Sequence, residues 1–556
     1  MVTSNMLGLG ILETTAYTPV YFMHKYWARR PWKVFSKIIQ VFTEPGDIIL
    51  DPFAGGGTTL IEGLILRRKV VAVDLNPLAC MVMKKEVEPL NIYAYREVFN
   101  QLKTQLEPLA WELYGTKCPE CGSNTMVRYI RRYLADDRPF LAFIYCKSCN
   151  SKIFLESGLE EFEKVPDIPP KWYPVVQIPE GDTTNRLIQK GFRYFHELIS
   201  PRSLIMLSHI RDAITQIQDD KIRDFMMFTF SSMLEWSSKM SKHLKGGETK
   251  LMDWTLNTYW VAKDYTENNL WEVFCRRVDK VIRGKTYTNS KIGSYAKEAS
   301  DFSQLQKDAS YMVVQADSRD LSFIPDESVD AVITDPPYGD IIQYAELSDF
   351  YLVWLGLSAP KTEISINSTR RIGLREYEDG LYQVFRECFR VLKHGGHLIS
   401  TFNIGDMNVM AAFVLALRRA GFKHVDVLRQ PVYNYKISFH VEQKDPMPYD
   451  FVFVFKKSDE PEPKPKLSFV ELLSSLDKKI KEYVNNGKRK SEYRLDTYPQ
   501  VIQYISSAPF EIARKFAKKY ESMIREYSSE FNRNKMEHLE KKKGKKKVQR
   551  TLLSNL

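Results

Sequence analysis

Residues 48–59 read Ile48-Ile49-Leu50-Asp51-Pro52-Phe53-Ala54-Gly55-Gly56-Gly57-Thr58-Thr59, an apolar run followed by a glycine loop. The run predicts a buried strand, and the loop opens a helix at about Thr58. Glycine lets a backbone approach a ligand closely, and the N-terminus of a helix attracts an anion. The loop lacks the Gly-Lys-Ser/Thr ending of a Walker A motif and the Gly-x-Gly-x-x-Gly spacing of dinucleotide folds. A plain tight turn is the alternative interpretation.

A second strand is predicted over Lys69–Val73, and Asp74 follows it directly. In Rossmann-like folds an acidic residue at the end of the second strand binds ribose hydroxyls. Asp74 is also suited to cap the helix that starts near Pro77. The two roles are compatible, and the order of strand, loop, helix and strand indicates an α/β fold.

The tetrapeptide Asp335-Pro336-Pro337-Tyr338 follows another apolar run, Val329–Ile333. That run predicts a buried strand, so the tetrapeptide lies on the loop leaving the strand's C-terminal end, where open α/β sheets bind ligands. The two prolines fix φ and remove two backbone donors, which makes the loop stiff. A stiff loop can hold an acceptor and an aromatic ring around one planar amine. A Pro-Pro turn with an exposed tyrosine is the alternative.

Together the two motifs resemble those of DNA amino-methyltransferases of the adenine-N6/cytosine-N4 type. The chain is most similar in layout to large prokaryotic adenine-specific DNA methylases with a zinc-ribbon insertion. The resemblance covers about residues 20–90 and 310–457. It implies an α/β, Rossmann-like, seven-stranded methyltransferase sheet that ends in a hairpin of Val425–Leu428 and Phe451–Phe455. It also implies S-adenosyl-L-methionine (SAM) as cofactor and double-stranded DNA as partner.

The resemblance also implies roles for individual residues. Asp335 and the Pro336 carbonyl would hold the target amine, Pro337 would complete the stiff loop, and Tyr338 would stack on a flipped base. Asp317, after the strand Tyr311–Gln315, would contact the adenine of SAM, although it could instead cap its loop. The implied cofactor-binding set is Asp51, Phe53, Gly55, Gly57, Thr58, Asp74 and Asp317.

Two flanking segments belong to the same resemblance. His24–Pro31 is similar to the motif that walls the methionine end of the cofactor in permuted DNA methyltransferases, and its cationic residues could instead touch DNA phosphates. Residues 345–355 carry apolar positions at helical spacing and predict a helix beside the active site. A helix ending at Gly395-Gly396 is expected before the strand Leu398–Phe402.

Two Cys-x-x-Cys pairs stand in the insertion, with 24 residues between them. Four thiolates at this spacing are typical of a structural, tetrahedral Zn(2+) site. The strands Met126–Tyr133 and Phe140–Tyr145 would form a hairpin between the pairs. Disulfides or redox dithiols are the alternative, disfavoured because no signal peptide is evident and we expect a cytoplasmic protein. The expected metal ligands are Cys118, Cys121, Cys146 and Cys149.

Composition shifts and motifs divide the chain into six expected regions. These are 1–100 and 306–458 (the two methyltransferase halves), 101–165 (zinc ribbon), 166–305 (mainly helical, target recognition), 459–466 (linker) and 467–556 (helical extension with a basic tail). The basic segment Lys239–Lys250 is either a solvated loop or a DNA contact. Of the nearby aromatics, Trp254, Tyr259 and Trp260 are expected in the core, with stacking on bases as the alternative.

The whole-chain charge is consistent with a polyanionic partner. The net charge is +11 and the pI is about 9.0, and much of the excess lies in the lysine run at 541–547. No apolar run approaches the roughly 20 residues that a membrane span needs, so no membrane partner is expected. We expect adenine-N6 methylation of DNA, with room for a restriction or defence-system partner. The open alternatives are a cytosine-N4 enzyme, a tRNA or rRNA guanine-N2 methyltransferase, and a non-catalytic DNA-binding subunit.

Overall fold

The computed structural model of the protein divides into two compact units. The first unit is Thr14–Gly373, and the second is Leu374–Leu556 together with Met1–Glu13. The residues described are 17–242, 254, 256–431, 449–460, 465–486, 488 and 490–529. The predicted basic tail and parts of the linker and of the segment 239–250 lie outside them.

The first unit alternates strands and helices. Its strands are β1 Ile48–Asp51, β2 Lys69–Asp74, β3 Gly115–Lys117, β4 Asn124–Tyr133, β5 Pro139–Cys146, β6 Ser151–Leu155, β7 Asp264–Asn268, β8 Tyr311–Gln315 and β9 Val329–Thr334. Its helices are α1 Trp32–Phe42, α2 Thr58–Ile65, α3 Pro77–Val87, α4 Ile92–Tyr114, α5 Glu160–Glu163, α6 Asn185–Gln189, α7 Pro201–Thr215, α8 Asp220–Ser231, α9 Leu270–Ile292, α10 Phe302–Leu305 and α11 Tyr344–Leu355.

Four of these strands form a parallel sheet in the order β8-β2-β1-β9. The residues of β1 are all buried, as expected for a strand covered on both faces. The carboxyl ends of parallel strands share one edge of the sheet, so the loops after β1, β2, β8 and β9 meet there. The predicted strands at Lys69–Val73, Tyr311–Gln315 and Val329–Ile333 are therefore confirmed.

A second, antiparallel sheet of the first unit has the order β3-β4-β5-β6, and β7 pairs with the free edge of β4. The expected hairpin between the cysteine pairs is confirmed as β4 and β5. The region 166–305 was expected to be mainly helical, yet it supplies β7 to this sheet. A buried ion pair fixes β7 to β4, because Glu267 accepts a hydrogen bond from Arg132 at 2.7 Å.

The second unit contains α12 Leu374–Val391, β10 Leu392–Phe402, α13 Met407–Arg419, β11 Lys423–Pro431, β12 Tyr449–Lys456, α14 Phe469–Asn485 and α15 Lys490–Ile505. A further helix covers residues 510–529. Strand β12 pairs antiparallel with both β10 and β11, which confirms the expected terminal hairpin. The domain boundaries given above stay predictions.

One expected boundary in the second unit is wrong. The helix α12 ends at Val391, and Gly395-Gly396 lie inside β10 rather than at the helix terminus. The backbone N–H of Gly395 donates to the Lys457 carbonyl at 3.0 Å, and the Gly396 carbonyl accepts from the Lys457 N–H at 3.0 Å. These backbone hydrogen bonds place both glycines in the strand and not at the end of the helix. None of the described helices is long and apolar enough to cross a membrane.

Candidate active site

The loop after β1 is tied to the loop after β9 by Asp51. Its buried carboxylate accepts hydrogen bonds from Thr334 Oγ1 at 2.7 Å and from the Phe53 N–H at 3.2 Å. Burial raises the pKa of Asp51 to about 7, although the hydrogen bonds from Thr59, Thr334 and Phe53 oppose the shift. Since Thr334 directly precedes Asp335, the glycine loop and the Asp-Pro-Pro-Tyr tetrapeptide share one anchoring carboxylate.

The glycine loop has a backbone shape that requires glycine at two positions. Gly55 has φ +49° and Gly57 has φ +75°, both in the left-handed region. A Cβ on Gly57 would meet the Met83 side chain at 2.8 Å, and one on Gly55 would meet the Tyr26 ring at 3.2 Å. Gly57 is the N-cap of α2, so the helix opens at Thr58 as predicted.

Asp74 closes the loop from the end of β2. Its carboxylate accepts the Gly55 N–H at 2.8 Å and the Asn76 N–H at 2.8 Å. Burial raises the pKa of Asp74 to about 6, against the effect of these two backbone donors. A carboxylate has about four acceptor positions, so two remain for hydroxyl groups of a ligand. The helix cap at this position is instead the side chain of Asn76, which accepts the Leu78 N–H.

An aromatic wall stands over the glycine loop. The rings of Tyr26 and Tyr344 are stacked, with centroids 6.0 Å apart and planes at 16°. Tyr26 lies in the segment His24–Pro31, and its ring is the neighbour of Gly55 described above. Tyr26 thus contributes an apolar surface beside the glycine loop. The segment His24–Pro31 was expected to form a wall of the cofactor site there.

Asp317, after β8, is paired with its own neighbour. Its Oδ1 accepts from the Arg319 backbone N–H at 3.0 Å and from Arg319 Nε at 2.9 Å. Burial works against ionisation of Asp317, but the hydrogen bonds and charge of Arg319 outweigh it and lower the pKa. The side chain is 34% exposed. The Asp317 carboxylate is thus ionised, half-buried and held by its loop.

The Asp-Pro-Pro-Tyr tetrapeptide brings the Asp335 carboxylate and the Tyr338 ring together. The hydroxyl of Tyr338 donates to Asp335 Oδ1 at 2.5 Å, and Pro336 is buried between them. Arg30 also enters this site, since its Nε donates to Asp335 Oδ2 at 2.6 Å. The sequence placed Arg30 in a cofactor wall or on phosphates, and nothing in the pattern pointed to Asp335.

A buried carboxylate on α11 braces the loop after the tetrapeptide. Glu346 accepts from the Thr183 N–H at 2.8 Å, from Thr183 Oγ1 at 2.6 Å and from Asn367 Nδ2 at 2.8 Å. The N–H of Ile366 donates to the Gly339 carbonyl at 3.0 Å, directly after Tyr338. Hydrogen bonds therefore connect the insertion near Thr183 with the catalytic loop. The sequence predicted α11 but not this role for Glu346.

The four predicted metal ligands converge. Their Sγ atoms all lie within 4.8 Å of one another, and the described cysteines form no disulfide. The separations Cys118–Cys149 and Cys121–Cys146 are both 3.7 Å. Zinc–sulfur bonds of about 2.3 Å in a tetrahedron give sulfur–sulfur distances of about 3.8 Å. The donor set thus fits a four-thiolate metal centre.

Two of the three aromatics expected in the core are there. Trp254 and Tyr259 are buried, with rings stacked at 5.0 Å between centroids. Trp260 is 38% exposed, so that expectation is wrong, and the ammonium of Lys242 lies 5.4 Å from its ring centroid. An apolar pattern predicts burial of a group of residues and does not resolve which ring of a neighbouring pair faces solvent.

Comparisons with known proteins match this arrangement of two separated halves. Residues 12–85 and 329–553, together more than half of the chain, match the N6/N4 DNA methylase family. The Type II methyltransferase M.MjaII of Methanocaldococcus jannaschii is 20% identical over 343 residues, 59% of this chain and 60% of the relative. The Type II methyltransferase M.MvaI of Kocuria varians is 22% identical over 368 residues, 64% and 62% of the two chains.

The chain thus spans about three-fifths of the length of these curated relatives. Among solved structures, a Thermus thermophilus protein assigned as a DNA modification methylase and complexed with S-adenosyl-L-methionine is 18% identical. The similarity covers 30% of this chain and 61% of that one, with a TM-score of 0.17.

Proposed function

The chain belongs to the N6/N4 DNA methylase family, and we propose that it is a SAM-dependent methyltransferase acting on an exocyclic amine in double-stranded DNA. The family membership confirms the resemblance to DNA amino-methyltransferases. The observation that carries the proposal is the shared edge of the parallel sheet. There Asp335 and Tyr338 stand beside the glycine loop, and Asp51 bonds to both sides through Phe53 and Thr334.

The cofactor site we propose is formed by the loops after β1, β2 and β8. The N–H groups at the start of α2, near Gly57 and Thr58, suit the carboxylate of the methionine part. The free acceptor positions of Asp74 suit the ribose hydroxyls, and Asp317 suits the adenine amine. Phe53 and the Tyr26–Tyr344 wall supply apolar surface. When bound, SAM supplies an activated methyl group.

In the proposed reaction the chain orients the acceptor nitrogen. The target base leaves the duplex, as enzymes that act on bases require. Asp335 and the Pro336 carbonyl accept the amine hydrogens, and Tyr338 stacks on the base. These acceptors shift the nitrogen toward sp³ character, so its lone pair can attack the methyl group while one amine hydrogen leaves as a proton along its hydrogen bond. Positioning and a preorganised set of acceptors supply the catalysis. No covalent enzyme intermediate forms.

We propose adenine N6 as the acceptor, with cytosine N4 as the alternative. Aspartate at the first position of the tetrapeptide favours adenine, although some cytosine-N4 enzymes carry it as well. Methylation at cytosine C5 requires a Pro-Cys nucleophile, and the chain contains no Pro-Cys dipeptide.

The four parallel and three antiparallel strands are the strands that a seven-stranded methyltransferase sheet requires, and their union in one sheet stays a prediction.

The cysteine cluster is proposed to hold a structural zinc ion. All four positions of the tetrahedron are filled by protein thiolates, which leaves no open position for catalysis. The surrounding insertion occupies the place of a recognition region, so we assign DNA selection to it. A restriction or defence-system partner remains a prediction without a contact in the structure.

Sequencing that detects modified bases tests the proposal in cells. A host free of its own DNA methylation would express the chain or its Asp335→Ala variant from the same vector. We expect one modified base at a fixed sequence context with the unaltered chain and none with the variant. Genomic DNA without modified bases in the presence of folded, SAM-binding protein would contradict the proposal.

A further inference from the structure

The Arg30 side chain contacts two residues of the proposed catalytic motif, Asp335 and Tyr338. Its Nε donates to Asp335 Oδ2 at 2.6 Å, its Nη2 donates to the Tyr338 hydroxyl, and its guanidinium carbon lies 4.8 Å from the centre of the Tyr338 ring. The Arg30 side chain is only 13% exposed. One planar cation thus contacts both the acceptor and the aromatic ring that the proposed function gives to the target base.

The guanidinium of Arg30 and a nucleobase with an exocyclic amine have similar shape and hydrogen-bonding groups. A guanidinium is planar, carries its N–H donors in that plane and stacks on aromatic faces. A nucleobase with an exocyclic amine is planar, with N–H donors in the same plane. Both oxygens of Asp335 are engaged in the structure, Oδ2 by Arg30 and Oδ1 by Tyr338. A base that takes the Arg30 position, with its amine on Oδ2 and its ring on the face of Tyr338 that the guanidinium covers, therefore has to displace Arg30.

The backbone around Arg30 is anchored independently of this contact. The neighbouring Arg29 forms a buried ion pair with Glu86 on α3, with Nη2 and Oε1 2.9 Å apart. On the other side, Pro31 is the N-cap of α1. The segment is thus held by contacts that do not involve the Arg30 side chain.

We propose that Arg30 stands in for the target base, holding Asp335 and Tyr338 in place until a flipped base displaces it. This inference rests on the proposed function. A partly exposed carboxylate without a partner would reorient or recruit water, whereas the guanidinium keeps it aimed at the amine position. In return, Arg30 competes with the base, so the apparent affinity for the base falls with the fraction of protein in which Arg30 is in place.

The test compares Arg30→Gln and Arg30→Lys with the unaltered protein. Arg67→Gln serves as the control for losing one positive charge, because Arg67 is exposed and precedes β2 at the opposite edge of the sheet. After the modified site has been mapped, a short duplex carries 2-aminopurine at the target position, or pyrrolocytosine if the target is cytosine. Both probes brighten when they leave the base stack.

We expect Arg30→Gln to raise the probe fluorescence in the complex and to tighten duplex binding about tenfold, with a matching fall in KM. Loss of a cation would by itself weaken DNA binding, so tightening has the opposite sign to a simple charge effect. Arg30→Lys keeps the charge without the planar fork and should lie between Arg30→Gln and the unaltered protein. Arg67→Gln should not tighten binding, and SAM affinity by calorimetry should stay the same in all variants.

Two results would overturn the inference. One is an Arg30→Gln variant whose probe fluorescence and duplex affinity equal or fall below those of the unaltered protein. The other is a loss of kcat at constant KM, which would make Arg30 a support for the chemistry and not a stand-in for the base. If the unaltered protein methylates no DNA, the proposed function itself fails. If it methylates and Arg30→Gln leaves base occupancy unchanged, only the inference about Arg30 fails.

Discussion

Asp51, which is buried, and Asp74, which is half-buried, end neighbouring parallel strands, and desolvation raises the pKa of both carboxyls. Burial disfavours the charged form of a carboxylate, so both residues destabilise the fold when ionised. Each nevertheless accepts hydrogen bonds that shape the loops after β1 and β2. The ionised forms thus reduce stability at the shared edge of the parallel sheet.

The pH dependence of stability should reveal Asp51. Its pKa is about 7 in the folded protein against an ordinary 3.8, so the folded state binds this proton more tightly than the unfolded chain. Its contribution to stability is complete below about pH 4 and is lost as the pH rises through about 7. We expect Asp51→Asn, which retains the acceptor oxygen, to unfold at a higher temperature than the unaltered protein at pH 8 and at a similar temperature at pH 4.5.

Thermal unfolding of both proteins between pH 4.5 and 8 measures this effect. The difference between the two curves isolates Asp51 from the other buried acids, which titrate in both proteins. A difference in Tm that does not change with pH would mean that Asp51 is not the residue that holds this proton.

Cofactor affinity should depend on Asp74. Asp74→Asn removes a charged acceptor and places an amide group against the Gly55 or Asn76 N–H. The loss of a charge-assisted hydrogen bond, about 1.5–3 kcal/mol, corresponds to roughly tenfold to hundredfold weaker SAM binding. Calorimetry at pH 8 measures the change, with Asp308→Asn, an exposed carboxylate with 81% side-chain exposure, as control. Equal affinity in Asp74→Asn and the control would remove Asp74 from the cofactor site.

At the residue scale, sequence motifs identified some residues of the site but not the distant residues that contact them. Asp51, Asp335 and Tyr338 followed from short patterns whose chemistry is local. Arg30 and Glu346 did not, because their partners lie 305 and 163 positions away in the chain. Nothing in the sequence around Glu346 or Arg30 indicates which residue each will contact after folding.

Hydrophobic periodicity predicted the secondary-structure elements well where those elements are apolar. Strands β1, β2, β8 and β9 are mostly apolar, and each was predicted. Strand β7 was not, because its sequence Asp264-Tyr265-Thr266-Glu267-Asn268 is mostly polar. Its polar groups are paired by β4 and by buried ion pairs, an arrangement that only the tertiary structure supplies. The glycines of β10 show the same limit, since pairing beside β12 overrode a helix-ending signal.

The cysteine-bearing sheet gives a prediction at the element scale. Zinc binding contributes directly to the folding free energy of small metal modules. We expect about one zinc ion per chain in the unaltered protein and none in Cys118→Ser combined with Cys146→Ser. Residues near 118–150 should then lose protection from hydrogen exchange, while SAM binds as before, since its proposed contacts all lie elsewhere. Cys80→Ser with Cys388→Ser would be a poor control because both are buried, so Cys275→Ser, which is partly exposed, is preferred.

Elemental analysis, hydrogen exchange and calorimetry measure these three properties separately. Zinc-free unaltered protein that is fully folded would contradict the structural role. A double variant that loses zinc and still methylates the same sites with equal preference would contradict the assignment of DNA selection to the insertion.

At the scale of the whole molecule, the family match and the insertion divide the chain between them. The match covers 12–85 and 329–553, and the intervening residues include the cysteine cluster and helices α4 to α9. The hydrogen bonds of Glu346 connect this insertion to the loop that follows Tyr338. The net charge of +11 favours a polyanionic substrate without selecting DNA over RNA.

The most direct test of the central claim is the identity of the methylated nucleoside. Purified protein would be incubated with SAM and with either unmethylated duplex DNA or unmodified transfer RNA, and the digested products would be analysed by mass spectrometry. We predict N6-methyladenine in the DNA, nothing in the RNA, and no product from Asp335→Ala, whose SAM affinity should stay within about twofold because Asp335 serves the target amine. N2-methylguanine in the RNA, or near-normal turnover by Asp335→Ala, would contradict the account.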